Sequence, residues 1–274
     1  MSATVTTSLR RRLDAGETLV GPSVMTGSAA MVEICIFAGF DWVMLDVEHG
    51  PTGIDMDLEN LVRATAAIGA PAGVRVPDRS GAGIGKALDF GAEVIWVPQV
   101  GTPAEARACR LREVLAGRHA ASVAAPAPAT ARPLDGVPRP CRPRDLARRP
   151  ARDRRGRRNA AEIAAVDGID AICLGPTDYA TDIGLSTKEF VGPDTPGPRH
   201  PAIAEALEQV LGAARANDLV PCAYAYDQAW LEHLLGEGCR FILYGTDVSL
   251  VRPGLEEVTA GIGEAKANIG APAS

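Results

Sequence analysis

No stretch of this 274-residue chain approaches the roughly 18 apolar residues that a membrane span requires. The opening MSATVTTSLRRRLDAG lacks the apolar core of a secretory signal, so the expected compartment is the cytoplasm. The six cysteines (Cys35, Cys109, Cys141, Cys173, Cys222 and Cys239) form no CxxC pair and have no metal-ligand spacing. That excludes a disulfide framework and a thiolate metal centre, and leaves small core residues in a reducing environment. Aromatic residues make up only 4%, and none occurs between Trp96 and Tyr179. Lysine is absent from residues 110 to 158, yet that window holds fourteen arginines against four acids, a local balance of +10. The net charge of −6 therefore leaves about −16 on the rest of the chain, which argues against nucleic acid as its partner.

Outside that window the pattern is regular. Short apolar, β-rich runs recur between turn residues: LVGPSV (19–24), DWVMLD (41–46), AGVRV (72–76), VIWVP (94–98), AICLG (171–175), VPCAYA (220–225) and FILYG (241–245). Helical patterns such as MDLENLVRATAAIG, AGIGKALDFGA, HPAIAEALEQVLGAARAND and AWLEHLLGEG lie between them. Continuous apolar strands alternating with amphipathic helices indicate an α/β fold with a parallel sheet covered by helices. A single domain over residues 1–274 built as a (β/α)₈ TIM barrel suits this length. Only seven strands are legible. The missing fifth falls in the basic window, so that region is expected to be disrupted, with residues 110 to 155 irregular or poorly packed.

The polar residues stand at strand ends. Asp46, Glu48 and His49 close the second run, Arg75 closes the third, Gln99 follows the fourth, and GPTD ending in Asp178 follows AICLG. A barrel gathers the C-terminal ends of its strands around one mouth, so these groups are expected to converge. Arg75 between two valines is the most telling, because a charge within a strand is costly unless paired. A structural ion pair with Asp46 or Glu48 is the competing reading.

At these residues the chain resembles the class II pyruvate aldolases of the HpcH/HpaI family. The matching pieces are GFDWVMLDVEHGP, the strand with Arg75, VIWVPQV and DGIDAICLGPTDYATDIG, spanning about 18 to 108 and 159 to 262. The resemblance implies a barrel of the phosphoenolpyruvate/pyruvate type. It also implies cleavage or formation of a carbon–carbon bond between pyruvate and an aldehyde, on 2-keto-3-deoxy or 4-hydroxy-2-oxo acids, with a divalent metal (Mg²⁺, Mn²⁺ or Co²⁺). By position, His49 resembles the general acid/base and Asp89 the carboxylate that raises its basicity. Arg75 resembles the residue that stabilises the enolate. Asp46 joins this catalytic group, and Asp178 resembles a metal ligand. Gly175, Thr177 and Asp178 resemble the segment whose backbone amides hold the pyruvate carboxylate. The resemblance also implies a homohexamer, with small 2-oxo acids and aldehydes as partners.

The likeness fails over about 109 to 158. Family members carry a fifth strand ending in Gln-x-Glu, whose Glu is the second metal carboxylate, and nothing in this window matches it. Arg-, Pro- and Ala-rich text is what GC-rich DNA yields in a wrong frame. Dropping the first base of the Glu113 codon permits KYSPAGMR through Ala121, a turn typical of the family. The other shifted frame permits GVGGGTRASD from Ala120 to Thr130, and the first frame permits VVQLETAEAV before Arg158. A frame-disrupted segment is the expectation, with a genuine basic insertion as the alternative. On that expectation the leading function is an aldolase impaired by the loss of one metal carboxylate. An acyl-CoA lyase of the same superfamily is one alternative, though no nucleotide-binding signature is present. The other is a non-catalytic binding protein using the arginine-rich segment, which lacks stacking aromatics.

Overall fold

The computed structural model describes residues 9–109, 120–125, 159–185 and 200–270. Eight parallel strands run in chain order: β1 (Leu19–Val24), β2 (Val43–Asp46), β3 (Ala72–Arg75), β4 (Val94–Val97), β5 (Ala120–Ala125), β6 (Ala171–Leu174), β7 (Val220–Ala225) and β8 (Phe241–Thr246). Each pairs with the next, and β8 returns to β1 through Leu19–Phe241 and Val20–Ile242, so the pairings close a barrel. The seven strands read from the sequence fall within two residues of these bounds.

The eighth strand corrects an expectation. A fifth strand is present inside the basic window, where Ala120–Ala125 pairs with β4 through Ile95–Ala121 and with β6 through Val123–Ile172. Strand pairing is made by backbone amides and carbonyls, which AASVAA possesses as fully as any apolar run. Its alanines carry no β signal, so the stretch could not be read as a strand. The expected irregular packing elsewhere in the window, at 110–119 and 126–155, lies outside the described residues.

Alternation along the strands sorts the core into two layers. Trp42, Met44, Val94, Trp96, Ala171, Cys173, Cys222, Phe241 and Leu243 fill the interior of the ring. Their neighbours Val43, Leu45, Ile95, Val97, Ile172, Leu174, Ala223 and Ile242 face outward beneath the helices. The interior is anchored by Trp42, stacked on Phe241 at 4.4 Å between ring centroids and on Trp96 at 6.5 Å. Gly21 and Gly73 make room for that indole. A Cβ on Gly21 would lie 2.3 Å from the Trp42 carbonyl, and one on Gly73 would lie 2.9 Å from the Trp42 ring. Helix α1 (Leu9–Asp14) closes the N-terminal end of the ring with Leu9 and Leu13.

The outer helices are α2 (Ala29–Phe37), α3 (Met56–Ala67), α4 (Gly81–Asp89), α5 (Pro103–Cys109), α6 (Ala160–Ala164), α7 (Pro176–Asp182), α8 (Pro201–Ala216), α9 (Gln228–Gly236) and α10 (Asp247–Gly270). Local chemistry sets several of their starts. Ser28, Asp55, Ser80 and Asp227 each accept a hydrogen bond from the first turn they precede, as N-caps do. Among the described residues, no helix is long and apolar enough to cross a membrane.

Candidate active site

The period of two that puts Trp42 and Met44 inside the ring also turns Asp46 inward, at the C-terminal end of β2. Its side chain is fully buried. A buried carboxylate must be saturated with donors, and four reach it. The amides of Glu48 and His49 each donate at 3.1 Å, Arg75 Nε donates at 3.0 Å, and Arg75 Nη2 donates as well. The two amide bonds wind the VEHG turn around Asp46, which fixes where Glu48 and His49 project. The fork of Arg75 locks the end of β3 to the end of β2 in the bidentate geometry an arginine favours.

Arg75 does more than pair with Asp46. Its Nη1 lies 3.3 Å from Glu48 Oε2, and its Nη2 lies 2.9 Å from His49 Nδ1. Burial works against the guanidinium charge, but the bonds to Asp46 and the charges of Glu48 and Asp178 outweigh it, and its pKa is raised. An arginine donor at His49 Nδ1 requires that nitrogen to accept, which leaves the proton of a neutral ring on Nε2. The His49 side chain is 48% exposed, so the ring stands at the rim while its partners are covered.

Glu48 is held on two sides. Gln99 Nε2 donates to its Oε1 at 3.3 Å, opposite the contact with Arg75. Gln99 itself adopts φ +59, a left-handed conformation rare for a residue with a side chain. Arg79 donates to the Gln99 carbonyl and pairs with Glu105 at 3.0 Å, which buttresses the strained turn after β4. Burial raises the pKa of Glu48 against the pull of Arg75 and His49, and the charge of Asp178 raises it further. Asp178, in the first turn of α7, is likewise raised by burial and lowered by His49 and Arg75. The mouth therefore holds three carboxylates, those of Asp46, Glu48 and Asp178, facing one arginine and a histidine.

Other residues take different places. Gly175 precedes α7 as its N-cap, and its carbonyl accepts from Tyr179 N at 2.9 Å, with Thr177 exposed on the first turn. Asp89 lies exposed at the far end of α4, and the carboxylates set beside His49 Nδ1 are those of Glu48 at 3.7 Å and Asp46 at 3.9 Å. Three residues were not singled out in the sequence. Tyr226, just past β7, places its hydroxyl 3.1 Å from that of Thr177, and Tyr224 donates to the Gly245 carbonyl at 2.7 Å. Asp247, fully buried after β8, accepts from the amides of Met25 at 3.0 Å and Thr26 at 3.1 Å. A charge directly following the apolar run FILYGT was the available signal for Asp247. Nothing marked the tyrosines, which look like ordinary strand residues.

A ring of parallel strands with buried acid, arginine and histidine at its C-terminal mouth belongs to a wide class of enzymes. Comparison narrows it. The chain belongs to the HpcH/HpaI aldolase/citrate lyase family, whose pattern matches residues 24–115 and 154–253. The unmatched stretch between those ranges lies wholly within the arginine-rich window. The 2-keto-3-deoxy-L-rhamnonate aldolase of Klebsiella pneumoniae is 28% identical over 93% of this chain and 93% of its own length. The 4-hydroxy-2-oxo-heptane-1,7-dioate aldolase of Salmonella arizonae is 30% identical over 94% of this chain and 95% of its own. The fold matches the crystal structure of an HpcH/HpaI aldolase from Desulfitobacterium hafniense with a TM-score of 0.75 at 20% identity, covering 94% of this chain and 97% of that one.

Proposed function

We propose that the chain is a carbon–carbon lyase of the class II pyruvate aldolase type, acting at the mouth of a (β/α)₈ barrel on 4-hydroxy-2-oxo or 2-keto-3-deoxy acids. The observation that carries this reading is the Asp46–Arg75–His49 arrangement, in which a guanidinium oriented by Asp46 lies 2.9 Å from His49 Nδ1. Cleavage requires a proton to leave the C4 hydroxyl while the C3–C4 bond breaks. His49 takes that proton, the bonding electrons move onto the C2 carbonyl, and the aldehyde departs. Arg75, already oriented by Asp46, stabilises the enolate charge without reorganising. Protonation at C3 then gives pyruvate. The resemblance assigns the pyruvate carboxylate to the amides of Thr177 and Asp178, and it assigns Asp89 to raising the basicity of His49. Asp89 lies exposed on α4, so that second role depends on contacts beyond those described within the chain.

The family implies a divalent cation, and the donor set can be tested against one. Asp178 and Glu48 offer hard oxygen ligands of the kind Mg²⁺ or Mn²⁺ takes, and the charge of Asp178 helps to raise the pKa of Glu48, a repulsion that a cation between them would relieve. Among the described residues no group of three potential ligands forms, and β5 carries no acidic residue. The fit is therefore that of a weak site, held by Asp178 with Glu48 beside it. A bound cation would supply electrophilic stabilisation of the enolate oxygen. We place the protein in the cytoplasm as a homo-oligomer, where its five described cysteines stay free thiols.

The test separates the two roles in this chain. Aldol cleavage needs the proton transfer assigned to His49, whereas decarboxylation of oxaloacetate needs only enolate stabilisation. His49→Ala should abolish aldol cleavage and spare decarboxylation, while Arg75→Ala should lower both by about 10²-fold or more. Equal loss of both activities in His49→Ala would overturn the assignment.

A further inference from the structure

Two hydroxyls at the mouth take no part in the proton transfer or in the stabilisation of the enolate. Thr177 Oγ1 and the Tyr226 hydroxyl lie 3.1 Å apart and join the segment after β6 to the residue just past β7. In a closed ring of eight strands that follow chain order, β6 and β7 stand opposite β2 and β3. The pair therefore belongs to the wall opposite Asp46, His49 and Arg75. The two walls act on one another through Asp178, the neighbour of Thr177. Its charge works on Arg75 and Glu48 on one side and on Tyr226 on the other.

Both members are held in place. Thr181 Oγ1 donates to the Thr177 carbonyl at 3.0 Å and Tyr179 N to the Gly175 carbonyl at 2.9 Å, which fixes the backbone on either side of Thr177. The Tyr226 ring packs on Tyr224 at 4.8 Å between centroids, and the Tyr224 hydroxyl is tied to the Gly245 carbonyl at 2.7 Å. Just beyond, Asp227 accepts from Trp230 N at 2.7 Å and starts α9. This is more anchoring than a surface contact needs. Thr177 is exposed and Tyr226 is 37% exposed, and a hydroxyl pair open to water adds little net stability. The phenol, with an ordinary pKa of about 10, is the better donor of the two. Tyr226 thus donates to Thr177 Oγ1, and the hydrogen of Thr177 is turned elsewhere. Among the described residues Thr177 Oγ1 has no second partner.

We infer that Tyr226 is a positioning residue for the substrate: by donating to Thr177 it aims the Thr177 hydroxyl at the carboxylate of the bound 2-oxo acid. The inference rests on the aldolase reading, which puts that carboxylate at Thr177 and Asp178. The electrostatics favour such a donor. The substrate is an anion, and it enters a mouth that already holds Asp46, Glu48 and Asp178. The one arginine there is committed to Asp46, Glu48 and His49. A neutral hydroxyl can bond the carboxylate without being claimed by the resident acids as a cation would be. Hydrogen bonds to a charged acceptor are also stronger than those between neutral groups. Orientation matters because a threonine hydroxyl rotates freely, and Tyr226 leaves it one way to point.

The experiment is pyruvate binding to the full chain in the presence of Mg²⁺, read by ligand-observed NMR, together with the kinetics of oxaloacetate decarboxylation. Thr177→Val removes the hydroxyl, Thr177→Ser keeps it, and Tyr226→Phe removes the group that aims it. The dissociation constant of pyruvate should rise about tenfold in Thr177→Val and about fivefold in Tyr226→Phe, and should stay within about twofold of the parent in Thr177→Ser. In decarboxylation KM should rise in the same order while kcat changes by less than about twofold, as when binding shared by ground and transition states is lost. The double variant should bind no more weakly than Thr177→Val alone, because Tyr226 acts through Thr177. Melting temperatures should not move, since both side chains are exposed. Unchanged binding in Tyr226→Phe would overturn the inference, and so would a further loss when it is added to Thr177→Val. A lower melting temperature and kcat at unchanged KM would overturn it too, and would make the pair a structural clasp. A parent that neither binds pyruvate nor turns over oxaloacetate would sink the aldolase reading itself, and this inference with it.

Discussion

Strands β2 and β5 occupy equivalent kinds of place in the same ring. Both are parallel, both are paired on each side, and both end at the mouth. β2 ends in Asp46 and leads into Glu48 and His49, whereas β5 is AASVAA and carries no ionisable group. The ring needs only backbone hydrogen bonds from each strand, so a chemically blank segment can close it. The site needs particular side chains at particular ends, and a blank strand supplies none. Closure of the barrel is thus no evidence that its chemistry is complete.

The largest expected effect comes from giving the ring a fifth strand that ends in a carboxylate, as β2 does. A chain whose coding DNA is re-registered across codons 105 to 160 would carry the Gln-x-Glu text that the shifted frame permits before Arg158. A second anionic ligand would strengthen the cation site proposed at Asp178. Losing such electrophilic stabilisation typically costs several kcal/mol in the transition state, so aldol cleavage should rise by roughly 10³-fold on restoration. The comparison is turnover of both chains across a titration of Mg²⁺ and Mn²⁺. Equal turnover at equal cation affinity would show that Glu48 or another group already replaces the missing carboxylate.

The next effect breaks β2 instead. Asp46→Asn keeps the shape of the side chain but removes the charge that faces the Arg75 fork. It also puts a donor in place of one of the oxygen acceptors that the Glu48 and His49 amides and the guanidinium share. Removing one partner of a buried pair leaves the other uncompensated, at about 3 kcal/mol. Glu48 still faces Arg75, which moderates the loss. Thermal stability should fall accordingly, and activity should fall further because His49 loses its turn. Unchanged stability would mean that the Arg75 charge is carried by Glu48, and that Asp46 only shapes the loop.

The contrast between the two strands also explains what could be read in advance. Asp46, His49, Arg75 and Asp178 were legible because each interrupts or ends a strongly apolar run, where a charge must have a reason. The parallel α/β arrangement was legible from the runs themselves. β5 was hidden because alanine marks neither strand nor turn, and its pairing is decided by neighbours far away in sequence. The strain at Gln99 was hidden because a backbone angle leaves no mark on a glutamine. The link from Tyr226 to Thr177 joins residues 49 positions apart, and no local pattern encodes such a pair.

The smallest effect concerns the excess of negative charge that β2 brings to the mouth. Burial raises the pKa of Glu48, with Arg75 and His49 only partly offsetting it. A carboxyl whose folded pKa lies above its unfolded value of about 4.3 binds its proton more tightly in the folded state. Its contribution to stability is thus most favourable below that unfolded value, and is lost as pH rises through the folded pKa. Burial therefore makes the ionised form of Glu48 costly to hold in the folded chain. Glu48→Gln removes this cost while keeping an amide that can still meet Gln99. In chelator at pH 7 the variant should therefore melt above the parent. The advantage should vanish below about pH 4, where both forms are neutral. Excess Mg²⁺ at pH 7 should reverse the ranking, because a cation stabilises the parent by binding its folded state and has one fewer oxygen anion to bind in the variant. Melting curves at the two pH values, with and without Mg²⁺, give all four comparisons. A variant less stable than the parent in chelator would mean that the Arg75–Glu48 pair outweighs the burial of its charge, and that the mouth is already electrostatically settled without a cation.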